Sequence, residues 1–368
     1  MAKQKVLILC IDGCGLEYLE ASETPNLDRL GEEGFITEGS AVIPSVTNVN
    51  TTSIATGAFP DRHGITTNYH VDGESGEGSF VEDDRFLLEP TLFKKAKASG
   101  LADKTALLVT KRKLLDLLSG GADVRIAAEN PAPEYIDSIG PAEQIYSAEI
   151  NFWLLRALQR VLRDDDPDLA CCFTTDWIQH KYGPSEEVSL RHMEELDRLI
   201  GAIVDDDPER QIYVTADHGM RPKTRGFDPK RRPREGGIDA IAIPIIKDRY
   251  VVHHGNRGGA AYIFLKDGSD FAKALALLSE APGVEEVYSA AAAAIFRLHP
   301  DRIGDMFILA DEETVFGQLQ DAEETLSLRS HGSLCEGRVP IIGFNSPWCP
   351  EDFEYNLDVG RLGILEDT

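Results

Sequence analysis

TDWIQH (Thr175–His180) and TADHGM (Thr215–Met220) are the two stretches that decide how this chain folds and where its chemistry lies. Each one ends an apolar, strand-like run, Leu169–Phe173 in the first case and Ile212–Val214 in the second. Open α/β sheets place ligand-binding groups at the carboxyl ends of their strands. Two runs that each end in an aspartate and a histidine therefore predict a functional site at one edge of a parallel sheet.

A third acid, Asp12, closes the apolar run Val6–Ile11 near the start of the sequence. Aspartate and histidine are ligand types that suit a borderline divalent metal such as zinc. Together with the two acid–histidine pairs described above, Asp12 predicts a dinuclear metal site. Such a site is typical of a metal-dependent hydrolase.

Apolar strand-like runs alternate with helical patterns over much of the chain. This alternation predicts an α/β fold in which helices cover both faces of a mostly parallel sheet. Thr24 is predicted to cap a helix that begins at Pro25. Val339–Phe344 is predicted to return to the same sheet, and the acidic tail after Pro350 is expected on the surface. The other predicted helices are 90–98, 148–162 and 186–204, and the other predicted strands are 6–11, 105–110, 169–174 and 211–215.

From Tyr250 the pattern changes to short strands and short helices in mixed order. We predict a smaller α+β cap insertion at residues 225–325, and a metal-binding catalytic core formed by residues 1–224 and 326–368. The basic segment Phe227–Gly237, rich in Pro and Gly, is predicted to be a loop, and the basic cluster Lys223–Arg234 is expected to lie on a solvated loop. Within the cap, strands are predicted at 260–265, 284–287 and 305–309, and helices at 270–279 and 289–296.

The chain of 368 residues carries 63 acidic and 37 basic side chains, a formal net charge of −26. This charge argues against nucleic acid and against an anionic membrane surface as partners. A small anionic substrate would need a local positive site, which two divalent cations and a few lysines could create, because salt screens acids farther away than about 8 Å. The first apolar run is too short for a signal peptide or a membrane span, so a cytoplasmic location is expected. A homodimer is compatible with the sequence.

A candidate nucleophile lies where a loop passes into a helix of small residues, within Pro44–Gly57. A hydroxyl at a helix N-terminus is well placed to attack phosphorus, because the free amides and the helix dipole favour anions there. Thr47 is the candidate on this argument. The alternative is that Thr47 or Ser45 simply caps the helix, as such residues commonly do.

Beyond these patterns, the chain resembles the alkaline phosphatase superfamily from about residue 5 to residue 345. The resemblance rests on Asp12, on the metal motifs at 176–180 and 217–220, and on three further segments: Pro44–Gly57, the Pro-x-x-His-Gly-Ile stretch Pro60–Ile65 with a nearby Asn, and Ser330–Gly332. Within the superfamily the chain is most similar to the phosphonoacetate hydrolases, with the nucleotide pyrophosphatase/phosphodiesterase enzymes next. That preference rests on Thr110–Leu114, Tyr250–Gly255 and Asp301–Asp305. In the first of these segments Thr110 stands before Lys111, where the phosphonoacetate hydrolases usually have an alanine.

The resemblance implies which side chains hold metal and substrate. It assigns one Zn²⁺ to Asp176, His180 and His331, with His180 also facing the substrate. It assigns the other Zn²⁺ to Asp12, Thr47, Asp217 and His218. It implies that Asn68 donates a hydrogen bond to a phosphoryl oxygen and that Lys111 and Lys113 hold the substrate carboxylate. Mn²⁺ or Fe would suit the same ligand types.

The function that the resemblance implies is cleavage of the carbon–phosphorus bond of phosphonoacetate to acetate and phosphate. A threonine hydroxyl is a poor nucleophile at neutral pH, and the sequence offers no obvious histidine base beside Thr47. Coordination to a divalent metal would lower the pKa of the hydroxyl. The leaving carbon lies next to a carboxylate, so Lys111 and Lys113 could favour a shift of charge into an enediolate-like group. A phospho-threonine intermediate would then be released by water.

Two other functions stay open at this point. The same dinuclear site could serve a phosphodiesterase or nucleotide pyrophosphatase, which would want an aromatic or apolar slot for its leaving group and has no need of the lysine pair. The chain could also be a pseudoenzyme or a metal-dependent binding protein. That hypothesis is disfavoured because each predicted ligand is present in the sequence.

Several other residues have simpler interpretations. His63 is expected to order a turn. His253 and His254 are expected to make hinge or cap contacts, because successive side chains of an extended segment point to opposite sides. Without the family resemblance, Lys111 and Lys113 would be interpreted as a solvated helix start.

Overall fold

The computed structural model describes residues 5–72 and 76–364. The strands are β1 (Val6–Cys10), β2 (Phe35–Ser40), β3 (Tyr69–Val71), β4 (Gly78–Phe80), β5 (Thr105–Val109), β6 (Val124–Ala127), β7 (Leu169–Phe173), β8 (Gln211–Thr215), β9 (Arg221–Phe227), β10 (Ala240–Pro244), β11 (Ala260–Leu265), β12 (Val284–Ser289), β13 (Met306–Ala310), β14 (Thr314–Phe316), β15 (Glu323–Ser330) and β16 (Arg338–Phe344). The helices are α1 (Leu16–Ala21), α2 (Pro25–Glu33), α3 (Thr47–Thr56), α4 (Pro60–His63), α5 (Leu92–Ser99), α6 (Arg112–Leu118), α7 (Pro133–Ile139), α8 (Glu149–Asp164), α9 (Trp177–Lys181), α10 (Glu187–Asp206), α11 (Arg231–Glu235), α12 (Val251–His254), α13 (Phe271–Ser279) and α14 (Asp358–Ile364).

The main sheet has seven strands in the order β2-β16-β8-β1-β7-β5-β6. β1 pairs in parallel with both β7 and β8, and β5 pairs in parallel with both β6 and β7. β16 is antiparallel to its two neighbours, β8 and β2. The predicted α/β fold with a mostly parallel sheet is confirmed. The predicted return of Val339–Phe344 to this sheet is also confirmed, as strand β16.

Helices cover both faces of the main sheet. In β1, Leu7 and Leu9 pack into an apolar cluster with residues of α2, α8 and α10. The alternate residues Val6, Ile8 and Cys10 pack into a second cluster with residues of α3, α5, α6 and α14. A strand that is buried on both sides explains why β1 is a continuous apolar run in the sequence.

A second sheet of four antiparallel strands, in the order β10-β11-β13-β12, is built from residues 240–310. One of its faces shares an apolar cluster with α13. The other face, through Tyr262 and Phe307, shares a cluster with Val46 and Val49 at the start of α3. The second sheet is thereby fastened to the helix that carries Thr47.

β9, β14 and β15 form a third sheet in the order β14-β9-β15. β9 runs parallel to β14 and antiparallel to β15. The chain therefore enters and leaves the predicted cap through hydrogen-bonded strands. It stays a prediction that residues 1–224 and 326–368 form a core and residues 225–325 a cap. Residues 1–4, 73–75 and 365–368 lie outside the part of the chain that the structure describes.

Two surface predictions are wrong. The predicted loop Phe227–Gly237 begins at the last residue of β9 and contains helix α11. The predicted surface tail after Pro350 contains helix α14, whose Val359 and Leu362 are buried in the main core. The tail packs inward because its apolar residues recur on one helical face.

The start of α2 has a different cap from the predicted one. Thr24 precedes the helix, but its side chain makes no capping hydrogen bond. The carboxylate of Asp197 in α10 instead accepts from the amides of Asn26 and Leu27, at 3.0 and 2.8 Å. Among the helices that the structure describes, none is long and apolar enough to cross a membrane.

Candidate active site

Three aspartates meet at the carboxyl edge of the main sheet. Asp12, Asp176 and Asp217 follow strands β1, β7 and β8, which lie side by side in the sheet. All three side chains are buried, with at most 1% of each residue exposed. Adjacent parallel strands thus bring together three acids that are far apart in the sequence, as the strand-end argument predicts.

A glycine allows two of these acids to approach. Gly13 has a φ of +72°, and a Cβ there would lie 2.8 Å from the Cβ of Asp176. Its amide donates a hydrogen bond to Asp217 Oδ1 at 3.1 Å. The turn after β1 therefore needs glycine both for its backbone conformation and for the space beside Asp176.

Thr47 is the first residue of α3 and is buried beside these acids. Its Oγ1 lies 3.2 Å from Nε2 of His218. His218, which the family resemblance assigns to the same cation as Thr47, comes from a strand end more than a hundred residues later. Neither Thr47 nor Ser45 caps the helix: Ser45 Oγ donates to the carbonyl of Ser333 at 2.7 Å.

Three histidines present the same nitrogen to the acids. Nδ1 of His180 lies 2.8 Å from the carbonyl oxygen of Arg329, Nδ1 of His218 lies 2.9 Å from that of Gly219, and Nδ1 of His331 lies 2.8 Å from that of Ser45. A carbonyl only accepts, so the proton of each neutral ring is on Nδ1. Nε2 is then left with a lone pair, which is the state of a metal-binding histidine.

The free Nε2 atoms face the carboxylates. Nε2 of His180 lies 3.0 Å from Asp176 Oδ2, and Nε2 of His331 lies 3.7 Å from the same oxygen. Nε2 of His218 lies 3.3 Å from Asp217 Oδ2 and 3.5 Å from Asp12 Oδ1. The rings of His218 and His331 are stacked, with centroids 3.5 Å apart.

These side chains fit two neighbouring divalent cations. Three groups of potential ligand atoms lie within 4.8 Å of one another: Asp12 with Asp217 and His218, Asp176 with His180 and His253, and Asp176 with His218 and His331. In the described part of the chain, both oxygens of Asp12, Oδ2 of Asp217 and Nε2 of His180 are buried without a hydrogen-bond partner. Buried polar atoms in a native site need partners, and a cation would supply them.

The electrostatics lead to the same conclusion. Burial raises the pKa of Asp12 well above its usual range, and the charges of Asp176 and Asp217 raise it further. For Asp176 burial also acts upward, but Lys111 and His253 outweigh it and hold the pKa of that carboxyl well below its usual range. Three buried carboxylates with a single lysine among them leave an excess of negative charge that bound cations would neutralise.

The two lysines are buried in the site. Nζ of Lys111 lies 3.4 Å from Asp176 Oδ1 and 4.0 Å from Asp12 Oδ2. Lys113 forms an ion pair with Asp248. The ring of Tyr250 lies beside both ammonium groups, with its centroid 5.8 Å from Nζ of Lys111 and 5.4 Å from that of Lys113. The interpretation of this pair as a solvated helix start is wrong.

Sequence reasoning missed the contribution of the segment that contains α12. Nε2 of His253 lies 2.6 Å from Asp176 Oδ1, and Nε2 of His254 lies 3.0 Å from Asp248 Oδ1. The expectation for His253 and His254 assumed an extended segment, whereas residues 251–254 form a helical turn. In a helix adjacent side chains need not point to opposite sides, so both rings can face one site.

The other predicted residues lie as follows. Asn68 is buried, and its Nδ2 donates to Asp248 Oδ2 at 3.2 Å. His63 accepts from the amide of Ile65 on Nδ1 at 3.0 Å and lies 2.9 Å from Ser53 Oγ on Nε2, so the prediction that it orders a turn is confirmed. The structure thus brings all ten predicted site residues to one edge of the sheet.

A separate cavity of about 770 Å³ lies between the α11 region and the second sheet. Its wall includes the basic side chains of Lys230, Arg231, Arg234 and Lys247. Asn256 also lines this cavity, and its Oδ1 accepts from the amide of Asp248 at 3.1 Å. Part of the basic cluster predicted as a solvated loop is therefore the wall of a cavity next to the site.

Comparisons with known proteins agree with this geometry. The family model "Type I phosphodiesterase / nucleotide pyrophosphatase" matches residues 6–334. Bis(5'-adenosyl)-triphosphatase ENPP4 from Bos taurus is 26% identical over 230 residues, which are 59% of this chain and 47% of that protein. The chain spans about half the length of the curated ENPP4 relatives it matches.

Solved structures give a more similar relative. Phosphonoacetate hydrolase from Sinorhizobium meliloti 1021, solved with phosphonoacetate and with phosphonoformate, is 32% identical with a TM-score of 0.89, covering 100% of this chain and 96% of that one. Murine ectonucleotide pyrophosphatase/phosphodiesterase 5 has a TM-score of 0.70 at 20% identity, covering 98% of this chain and 94% of that one, and supports the fold alone. The predicted resemblance is confirmed.

Proposed function

The chain belongs to the type I phosphodiesterase/nucleotide pyrophosphatase family, and from this premise we propose that it hydrolyses the carbon–phosphorus bond of phosphonoacetate to give acetate and phosphate. The observation that carries the proposal is the pair of buried lysines beside the acid–histidine cluster. A substrate with a phosphonate at one end and a carboxylate at the other matches a site with metal ligands on one side and ammonium groups on the other. The similarity to phosphonoacetate hydrolase supports the same choice.

The metal ligands in this proposal are those that the family resemblance implies. Asp176, His180 and His331 would hold one Zn²⁺, and Asp12, Thr47, Asp217 and His218 would hold the other. The unpartnered oxygens and the free Nε2 atoms support this assignment, which Mn²⁺ or Fe would also fit. When bound, such cations lower the pKa of a hydroxyl and neutralise charge that develops on phosphoryl oxygens.

In the first step Thr47 Oγ1 gives its proton to solvent water and forms a bond to phosphorus. The carbon–phosphorus bond breaks, and its electron pair goes to the methylene carbon, which then takes a proton from water to give acetate. The carboxylate next to that carbon delocalises the departing charge, and Lys111 and Lys113 favour the charged form. Asn68 has a second N–H with which to donate to a phosphoryl oxygen, which is worth roughly 3–4 kcal/mol of barrier in comparable sites.

In the second step water attacks the phospho-threonine. The bond between phosphorus and Oγ1 of Thr47 breaks, phosphate leaves, and Oγ1 regains a proton. The start of α3 supports both steps, because the first amides of a helix have no partner within it and favour an anion beside Thr47. Residues 225–325 would act as a cap that carries Tyr250 and His253 to the core. The cytoplasmic location of the protein stays a prediction.

A phosphodiesterase or nucleotide pyrophosphatase is the second candidate. The rings of Tyr146 and Trp177 lie 5.0 Å apart, and that of Trp177 lies 5.5 Å from His253 beside the site. Both side chains are partly exposed, so they could form the aromatic slot that a nucleotide leaving group wants. The family model and the bis(5'-adenosyl)-triphosphatase relatives support this candidate.

A substrate panel on zinc-loaded protein tests the proposal. Phosphonoacetate, bis(p-nitrophenyl) phosphate and an aryl phosphonate monoester are compared by release of phosphate, acetate or nitrophenolate. Phosphonoacetate is expected to have the highest kcat/KM. No phosphate release from phosphonoacetate across a range of zinc concentration and pH would remove the first candidate, and fast diester cleavage would then support the second.

A further inference from the structure

We propose that Asp248 is a positioning residue that orients Lys113 and Asn68 and so determines how the site holds the carboxylate end of the substrate. The inference rests on the proposed function, in which these two side chains face the substrate. Asp248 lies on the segment that follows β10, far in sequence from the residues that it orients.

One oxygen of Asp248 is held by its own segment. Oδ1 accepts from the amide of Tyr250 at 2.8 Å and lies 3.0 Å from Nε2 of His254. Nδ1 of His254 accepts from the amide of Asn256 at 3.0 Å, so the ring carries its proton on Nε2 and donates it to Asp248. These contacts, all from the same segment, hold the carboxylate independently of the core.

The other oxygen of Asp248 faces the core. Oδ2 forms the ion pair with Lys113 and accepts from Nδ2 of Asn68 at 3.2 Å. Because a carboxylate only accepts, Asn68 must turn its NH₂ group, and not its oxygen, toward Asp248. One N–H of Asn68 and one of Lys113 are used in this way, and the remaining N–H groups are left for the substrate.

Burial and neighbouring charges keep the Asp248 carboxylate ionised and in place. Asp248 is 4% exposed. Burial alone would raise the pKa of its carboxyl, but Lys113 and His254 hold it well below the usual range, so the group stays ionised. A buried carboxylate with this many donors is costly to displace, which favours a fixed orienting anion over an internal competitor that substrate must push aside.

Asp248→Asn is the informative variant, because it keeps the size of the side chain and removes its charge. Asp228→Asn is the matched control: Asp228 is also a buried acid of the predicted cap, 5% exposed, and lies 3.5 Å from Arg231. Kinetics are measured on zinc-loaded protein with phosphonoacetate and with p-nitrophenyl phenylphosphonate, which has no carboxylate. His254→Gln, which weakens the hold on Oδ1 alone, is the second variant in case the first folds poorly.

We expect Asp248→Asn to lower kcat/KM for phosphonoacetate by about 10- to 100-fold, with a rise in KM, because Lys113 loses its charged partner. The loss with p-nitrophenyl phenylphosphonate should be about tenfold smaller, and His254→Gln should shift the same ratio in the same direction. Equal losses for both substrates with unchanged KM, matched by Asp228→Asn, would show a merely structural role. A fall in KM for phosphonoacetate would show that Asp248 competes with substrate, which also overturns the proposal.

The proposed function and this inference fail in different ways. Absence of phosphonoacetate turnover in the unchanged protein contradicts the function. The inference is then decided by calorimetric binding of phosphonoformate, which carries the same two anionic groups. A dissociation constant raised about tenfold or more by Asp248→Asn supports it, and an unchanged constant, or no binding by the unchanged protein, overturns it.

Discussion

The two sides of the candidate site differ in how their charges are balanced. On the side of Asp12 and Asp217, buried carboxylate oxygens have no hydrogen-bond partner among the described residues. On the side of Lys113, the ammonium and the Asp248 carboxylate already neutralise each other. In the proposed function added cations would complete the first side, whereas on the second side the chain itself supplies both charges. We infer that the first side carries out the attack on phosphorus and that the second side determines which leaving group the site accepts.

Thr47→Ala tests the metal side most severely. We expect kcat to fall by about 10⁴-fold or more, because the variant has no hydroxyl to form the covalent intermediate. Zinc content, measured by elemental analysis, should stay close to that of the unchanged protein, since aspartates and histidines supply the other ligands. Thr56→Ala, at the far end of the same helix, is the control. Substantial turnover in Thr47→Ala would exclude Thr47 as the nucleophile.

Lys113→Ala tests the leaving-group side. We expect kcat/KM for phosphonoacetate to fall by about 10- to 100-fold, because a charged hydrogen bond to the substrate carboxylate is lost. An aryl phosphonate monoester should lose much less. Lys97→Ala removes a lysine from a surface ion pair with Asp123 and should change neither rate. Equal losses with both substrates would contradict a role specific to the carboxylate.

Asp12→Asn tests whether the buried carboxyl of Asp12 destabilises the metal-free protein. The raised pKa of Asp12 means that the folded, metal-free chain binds its proton more tightly than the unfolded chain. That contribution to stability is present at low pH and is lost as pH rises through the folded pKa, so at neutral pH the buried carboxyl of Asp12 makes the metal-free fold less stable.

We therefore expect Asp12→Asn to raise the Tm of chelator-treated protein at pH 7, by an amount that corresponds to about 1–3 kcal/mol. Adding zinc should reverse the order, because the unchanged protein gains more from the cation. Asp164→Asn, on the surface of α8, is the control. A lower Tm for Asp12→Asn in chelator would show that the metal-free site is not strained by charge.

His63→Gln gives the smallest effect and lies outside both sides of the site. Burial lowers the pKa of His63 to about 3, whereas an unfolded histidine titrates near about 6.5. The unfolded chain binds the extra proton below that pH, so stability falls as pH drops below about 6.5. Removing His63 should reduce the slope of unfolding free energy against pH between 5 and 6 by up to about 1.4 kcal/mol per unit. Denaturant titrations at several pH values measure this slope, and His299→Gln is the control. An unchanged slope in His63→Gln would show that the pKa of His63 is not lowered by burial.

The three aspartates of the metal side were predictable because each one follows a strand. An apolar run that ends in an acid, such as the one before Asp12, is a local pattern, and parallel pairing then brings the ends together. The residues of the leaving-group side were less accessible. Asp248 and His253 act across long sequence separations, and the short helix α12 has no periodicity long enough to detect.

The fold shows the same division between local and distant information. Strand bounds such as Gln211–Thr215 follow from local apolar runs and agree with the structure. The burial of α14 and the replacement of Thr24 by Asp197 as the group that caps α2 both depend on partners brought close only by the tertiary structure. Side chains that respond to such partners cannot be placed from their neighbours in the sequence.

The hydrogen bond from His331 to the carbonyl of Ser45 joins residues 286 positions apart. During synthesis the loop that carries Ser45, just before Thr47, therefore leaves the ribosome long before the imidazole that contacts it. An early fragment could form β1 and α3, yet it would lack the last histidine and strand β16. Acquisition of the proposed cation pair would thus be tied to late translation, and we expect a nascent chain to stay inactive until that histidine has emerged.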